Sequence, residues 1–295
     1  MVRNNHSRQV SSDGDRCRSS EMPTRPVRDM QRRRFLAGLA LLPVLPLAAH
    51  AGKSELNIGI YPGTGKADIL TADFRALAGP FATALGAALG LSAHPMLFRS
   101  IKSVARSMQG RRLDAYFVPP SVAVAALDNG YSPVVRVRDQ ASGALVRRKD
   151  AAQVATVALT EKESWLDVMA RYTLKRQAPE AARVLNFKTQ EEVALAMQRG
   201  FAEAGSLRAK AADALVASGS FEVWHALPTT PDFTLMASDR MSAADRDKIG
   251  AAAVALDAAA IQALQKTIHS RVSGFVVDKE ADYKVIKQAI EEAGY

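Results

Sequence analysis

The chain has 295 residues, 48% hydrophobic and 23% charged, which is ample for buried cores in one large or two small domains. Its net charge of +9 gathers at the start: nine of the 39 basic and four of the 30 acidic residues lie within positions 1–51, leaving 30 against 26 in the remainder. That balance excludes a nucleic-acid partner held by a basic face, and the sole cysteine, Cys17, lies in the same opening segment, which excludes disulfides, thiol nucleophiles and cysteine metal sites from the rest.

Residues 1–29 are polar and poor in apolar side chains, a composition that does not fold on its own. From Met30, a second candidate start, MQRRRFLAGLALLPVLPLAAHAG has the basic, apolar and small-residue parts of an export signal. Arg32 and Arg33 resemble a twin-arginine pair, so the twin-arginine export machinery is an expected partner. The apolar run to Ala49 contains Pro43 and Pro46 and falls short of the roughly 20 residues of a membrane span. Ala49 and Ala51 bracket a small-x-small cleavage site, which predicts a periplasmic protein beginning at Gly52.

LNIGIY (56–61) predicts a strand running into YPGTGKADIL. Glycines 63 and 65 with Lys66 suggest a phosphate loop, but Ile60 stands where a Walker glycine is needed and Ala67 where a hydroxyl must hold magnesium. What survives is a strand ending in a Gly-rich turn, a frequent ligand position in α/β folds. Helix 73–90, strand 94–99, helix 100–111, strand 113–119, helix 121–130 and strand 132–139 follow. The pattern restarts with strand 151–160, helix 164–176, strand 182–187, helix 189–200, strand 201–207 and helix 208–219. Strands 221–227 and 232–238 and one helix over 242–266 close it. Short apolar strands joined by amphipathic helices predict parallel sheets covered on both faces, and the restart predicts two lobes joined near 132–140 and 221–230.

In that order, LNIGIYPG, SMQGRRLDAYFVPPSVAVAA, MQRGFAEAGSL, ALPTTPDFTLMASDRMSAADRDKIGAAAVAL and SGFVVDKEADYKVIK resemble the phosphate/phosphonate-type substrate-binding proteins of ABC transporters. The resemblance implies a two-lobed α/β fold of the type II periplasmic-binding-protein class with a central ligand cleft. Its parts would be a leader over 1–51, a first lobe over 52–135, a second over 136–225 and a return to the first over 226–295. It also implies a small polar or anionic ligand and an ABC permease as partner, with no cofactor.

Helix N-termini and strand ends face the cleft in such a fold, where unpaired amides and the helix dipole attract an anion. Ser100 is placed either as a plain N-cap or as a cap that also meets ligand. Tyr61, Gly63 and Thr64 match the first-lobe side of the cleft. Phe117 and Ser121 match the strand-to-helix turn around VPP, with core packing equally open to Phe117. The second lobe departs from the family: LTEKESWLDV stands where a Gly-containing, hydroxyl-rich turn is usual. Thr160 and Ser164 are its hydroxyls, Glu161 and Glu163 oppose an anion unless Lys162 or Arg99 compensates, and Trp165 adds aromatic surface. Gln190 stands near the family's frequent histidine. Glu203, in place of the usual aspartate, is either a cleft residue or a partner within its lobe.

His6, His50, His94, His225 and His269 have no metal-ligand spacing, no GxSxG elbow occurs, and Glu191-Glu192 fits a solvated helix face. Binding is therefore expected over catalysis, with Glu161 and Glu203 meeting across a cleft as the enzymatic alternative. Within binding, a transporter receptor and a sensory ligand-binder that signals to a membrane kinase or cyclase are both compatible with the chain.

Overall fold

Alternation in ELNIGI sends Leu56, Ile58 and Ile60 to the same buried face of β1 (Glu55–Ile60), the first element of a computed structural model that describes residues 54–63, 69–178, 183–268 and 270–295. The first series continues with α1 (Thr71–Leu89), β2 (Ser92–Leu97), α2 (Ile101–Gln109), β3 (Ala115–Val118), α3 (Pro120–Leu127) and β4 (Tyr131–Val137). The second runs β5 (Gln140–Ala141), β6 (Gly143–Arg148), β7 (Thr156–Leu159), α4 (Trp165–Gln177), β8 (Arg183–Asn186), α5 (Gln190–Gln198), β9 (Ala204–Arg208), α6 (Ala209–Val216) and β10 (Phe221–Ala226). The return comprises β11 (Thr230–Pro231), β12 (Thr234–Ser238), α7 (Ala243–Val254), α8 (Ala258–Ile268), β13 (Phe275–Val277), a short 3₁₀ turn over Glu280–Tyr283 and α9 (Lys284–Ala293).

Two sheets result. The first has the order β13-β4-β12-β3-β1-β2, the second β10-β6-β9-β7-β8. Both are mixed, which corrects the expectation of parallel sheets: β12 runs antiparallel to β3 and β4, and β6 runs antiparallel to β9 and β10. β12 and β6 each follow directly on a crossing between the sheets, β13 adds a further antiparallel edge to β4, and the crossing segments pair with each other as a β5–β11 ribbon. Central β3 is buried along its whole length. Tyr116 packs its ring against the backbone of Gly59 on the neighbouring strand, where an added Cβ would come within 2.6 Å of it.

The single helix expected over 242–266 is two helices. Asp257 accepts a hydrogen bond from the Ala260 amide at 2.7 Å, so a side-chain cap restarts the helix where continuous alanine-rich propensity would have extended it. Asp114 and Glu203 do equivalent work in the two sheets: each carboxylate accepts from the backbone amide at the start of a neighbouring strand, Asn57 at 2.9 Å and Thr156 at 2.7 Å. Glu203 therefore sits at the N-terminal end of β7, away from the turn at Thr160, which is the second of its two expected placements, a partner within its lobe rather than a cleft residue. The carboxylate is engaged inside its own lobe.

Candidate functional site

Parallel strands in each sheet end toward a common region, and their C-terminal turns carry the polar groups. In the first sheet β1 leads to Tyr61, β2 to Ser100 and β3 to Pro119; in the second β7 leads to Thr160 and β8 to Thr189, and β9 ends at Arg208. Five of these turns lead straight into helices, α2 to α6. Ser100 caps α2 by accepting from the Ser103 amide at 3.2 Å, and Ser164 caps α4 by accepting from the Asp167 amide at 3.3 Å. Thr189 and Glu192 form a capping box at α5, and Pro120 supplies the preset φ of the first residue of α3. Glu163, at φ 68°, takes the left-handed conformation just before Ser164, and its amide donates to the Asp167 carboxylate at 3.2 Å.

Tyr61, Pro62, Gly63, Pro119 and Phe233 face Ser164, Trp165, Leu166, Gln190 and Arg208 across a cavity of about 50 Å³ that Ile268 and Ser270 also line. That is room for one or two waters, so an organic ligand requires the walls to part. A hydrogen bond joins the opening strand of the first wall to the second-wall turn: the Tyr61 hydroxyl donates to the Glu161 carboxylate at 3.1 Å. Burial and the adjacent carboxylate push the Tyr61 hydroxyl well above its ordinary range. Burial also raises the Glu161 carboxyl, with the Tyr61 hydroxyl, the Ile101 amide and Lys188 acting the other way and Glu163 adding to the rise.

Arg208 is the cation among the described residues that line this cavity. Its guanidinium lies 4.8 Å from the centre of the Trp165 ring and donates to Asp232 and to the Ser270 hydroxyl, while the Trp165 indole donates to Thr230 at 2.8 Å. Asp232 is 1% exposed and one of its carboxylate oxygens has no partner among the described residues. Gln190 accepts from the Arg208 amide at 3.2 Å.

Of the residues expected at the cleft, Tyr61, Gly63, Ser164 and Gln190 line this cavity. Thr160 is fully buried behind Ser164, the two hydroxyls 2.7 Å apart. Ser100 stands one residue from the Ile101 amide that approaches Glu161. Phe117 is fully buried behind Phe233, in a cluster with Phe81 and Phe275 at ring separations of 5.1–6.0 Å, so of its two expected places it takes the core and not the wall. Ser121 lines a neighbouring cavity of about 360 Å³ with Ile101, Glu163 and Tyr295, and its buried hydroxyl has no partner among the described residues. Thr64, Arg32, Arg33, Ala49 and Ala51 lie outside the described residues. Sequence reasoning missed Pro119, Arg208, Phe233 and Ser270. For Arg208 a signal existed: SLRAK ends a strand and opens a helix, as FRSIK does at Ser100.

Residues 70–283 match the family model of the periplasmic substrate-binding protein of phosphonate ABC transporters. No curated protein matches the sequence. Among solved structures, XAC2383 from Xanthomonas citri bound to ATP is similar at 14% identity over 82% of this chain and 97% of that one, with a TM-score of 0.66. PhnD1 from Prochlorococcus marinus in complex with methylphosphonate is similar at 13% identity over 81% and 98%, TM-score 0.64. The periplasmic aliphatic sulphonate binding protein SsuA from Escherichia coli is similar at 13% over 82% and 86%, TM-score 0.54. At such identities the likeness establishes the two-lobed fold. With the family model covering most of its length, the chain belongs to the phosphonate-type periplasmic substrate-binding proteins of ABC transporters and has a solute-binding role in the periplasm with an ABC permease as partner.

Proposed function

We propose that this protein captures a small polar or anionic solute, of the phosphonate class or close to it, between the Tyr61–Pro119–Phe233 wall and the Ser164–Trp165–Gln190–Arg208 wall, without catalysing a reaction on it. The observation that carries the reading is the convergence of strand C-ends and helix N-termini from both sheets on one cavity, bridged by Tyr61 and Glu161. Contacts to both walls would make the shut form the ligand-bound form, because a ligand shifts the equilibrium by its differential affinity for the two states. In this reading the first lobe spans 52–135, the second spans 136–225, and 226–295 returns to the first. Ser100, Thr160 and Ser164 supply hydroxyls, and Thr64 extends the first wall. Glu203 and Phe117 support their lobes from behind.

Calorimetry on the purified periplasmic protein with methylphosphonate, inorganic phosphate and an alkylsulfonate tests this. Ser164→Ala is expected to weaken the bound probe by roughly two- to a hundred-fold, the range for one lost hydrogen bond to a neutral or charged group. An affinity unchanged by that substitution would move the site away from this cleft. We further propose export through the twin-arginine machinery at Arg32 and Arg33, with cleavage after Ala51. Mass spectrometry of the secreted protein is then expected to find Gly52 at the N-terminus, and a chain retaining residues 30–51 would contradict it.

A further inference from the structure

Resting on the reading above, we infer that Glu161 is an internal competitor for anionic ligands: its carboxylate takes the anion-accepting position of the first wall and so sets the charge of solute that the cleft admits. Three observations meet at this residue. The Tyr61 hydroxyl of the first wall donates to the Glu161 carboxylate on the second-wall turn at 3.1 Å. The Ile101 amide, at the start of α2 beside the Ser100 cap, approaches the same carboxylate. Arg208 is already matched by Asp232, so among the described residues the cation acting on Glu161 is the exposed Lys188.

The charged and titratable groups facing Glu161 are Tyr61 from the first wall, Glu163 from its own turn and Lys188 from the loop before α5. Lys188 is exposed and therefore screened, while Glu163 repels. An incoming dianion must displace the Glu161 carboxylate from Tyr61 or lie against it, and like charges held together in a protein site cost several kcal/mol. A solute of lower charge escapes that penalty. Protonation relieves it too: because burial raises the Glu161 carboxyl in the shut form, that form binds the proton more tightly and gains as pH falls through the interval above the ordinary glutamate value.

The test compares methylphosphonate binding by calorimetry in the wild type, Glu161→Gln and Tyr61→Phe. Glu161→Gln keeps the size of the side chain and an acceptor for Tyr61 but removes the charge; Tyr61→Phe removes the bridge but keeps the charge. The expected result is binding at least about tenfold tighter in Glu161→Gln than in wild type, and no tighter in Tyr61→Phe. The ratio of the Glu161→Gln to the wild-type affinity, in which the probe's own titration cancels, is expected to shrink as pH is lowered. Equal binding by wild type and Glu161→Gln, at a ratio independent of pH, overturns the role given to Glu161 while leaving the phosphonate-class cleft intact. Binding to none of the three proteins removes the phosphonate-class reading itself, and this inference with it.

Discussion

Replacing Arg208 with methionine is expected to lower the unfolding free energy by about 3 kcal/mol, the lower end of the range for removing one partner of a buried ion pair. The lower end applies because the Arg208 side chain retains 22% exposure, whereas that of Asp232 retains 1%. The substitution strands the Asp232 carboxylate with the Ser270 hydroxyl, since its second oxygen has no partner among the described residues. It also removes the guanidinium stacked on Trp165. Urea unfolding at neutral pH measures the loss, and adding Asp232→Asn is expected to restore most of it, because a pair removed together leaves no uncompensated charge. A single variant as stable as wild type, or a double variant no better than the single, would show that the pair does not hold the wall.

Phe117→Ala is expected to cost about 3–5 kcal/mol, the range for truncating a fully buried aromatic that cannot be replaced by collapse of its neighbours. Phe81, Phe233 and Phe275 surround it, and Phe233 is the one that reaches the cavity. The same experiment separates two roles. If Phe117 acts only from behind Phe233, Phe117→Leu retains most of the stability and binds solute within about twofold of wild type, as expected for a volume-conserving core exchange. A large loss of affinity in Phe117→Leu at unchanged stability would mean direct contact with ligand.

Much of this architecture is written locally. Apolar alternation marks β1, and the helix starts at Ser100, Ser164 and Thr189 are announced by side chains that satisfy orphan amides within three residues. Tyr61, Gly63, Ser164 and Gln190, which line the cavity, stood out in the sequence because they sit at such starts or at a strand end. What escaped depends on distant partners. Arg208 has the look of an ordinary charge at a helix start until Asp232, 24 residues on, and Ser270 close around it. Glu203 is identical in type to a cleft carboxylate, and only the Thr156 amide decides its placement. Asp257 interrupts an alanine-rich stretch whose propensity favours continuity, and the strands over 140–148 are too short and too charged to stand out before β9 and β10 supply their pairing.

Trp165 offers the most direct test of solute capture between the two walls, because it lines the cavity and the chain has only one other tryptophan, Trp224. In a Trp224→Phe variant every tryptophan signal comes from the indole that stacks on Arg208 and donates to Thr230. Emission is to be followed while methylphosphonate, inorganic phosphate or an alkylsulfonate is titrated in, alongside calorimetry on the same sample. Capture between the walls predicts a saturable change in Trp165 emission whose midpoint matches the calorimetric affinity. A probe that binds by calorimetry while Trp165 emission stays flat would contradict a binding site between these walls.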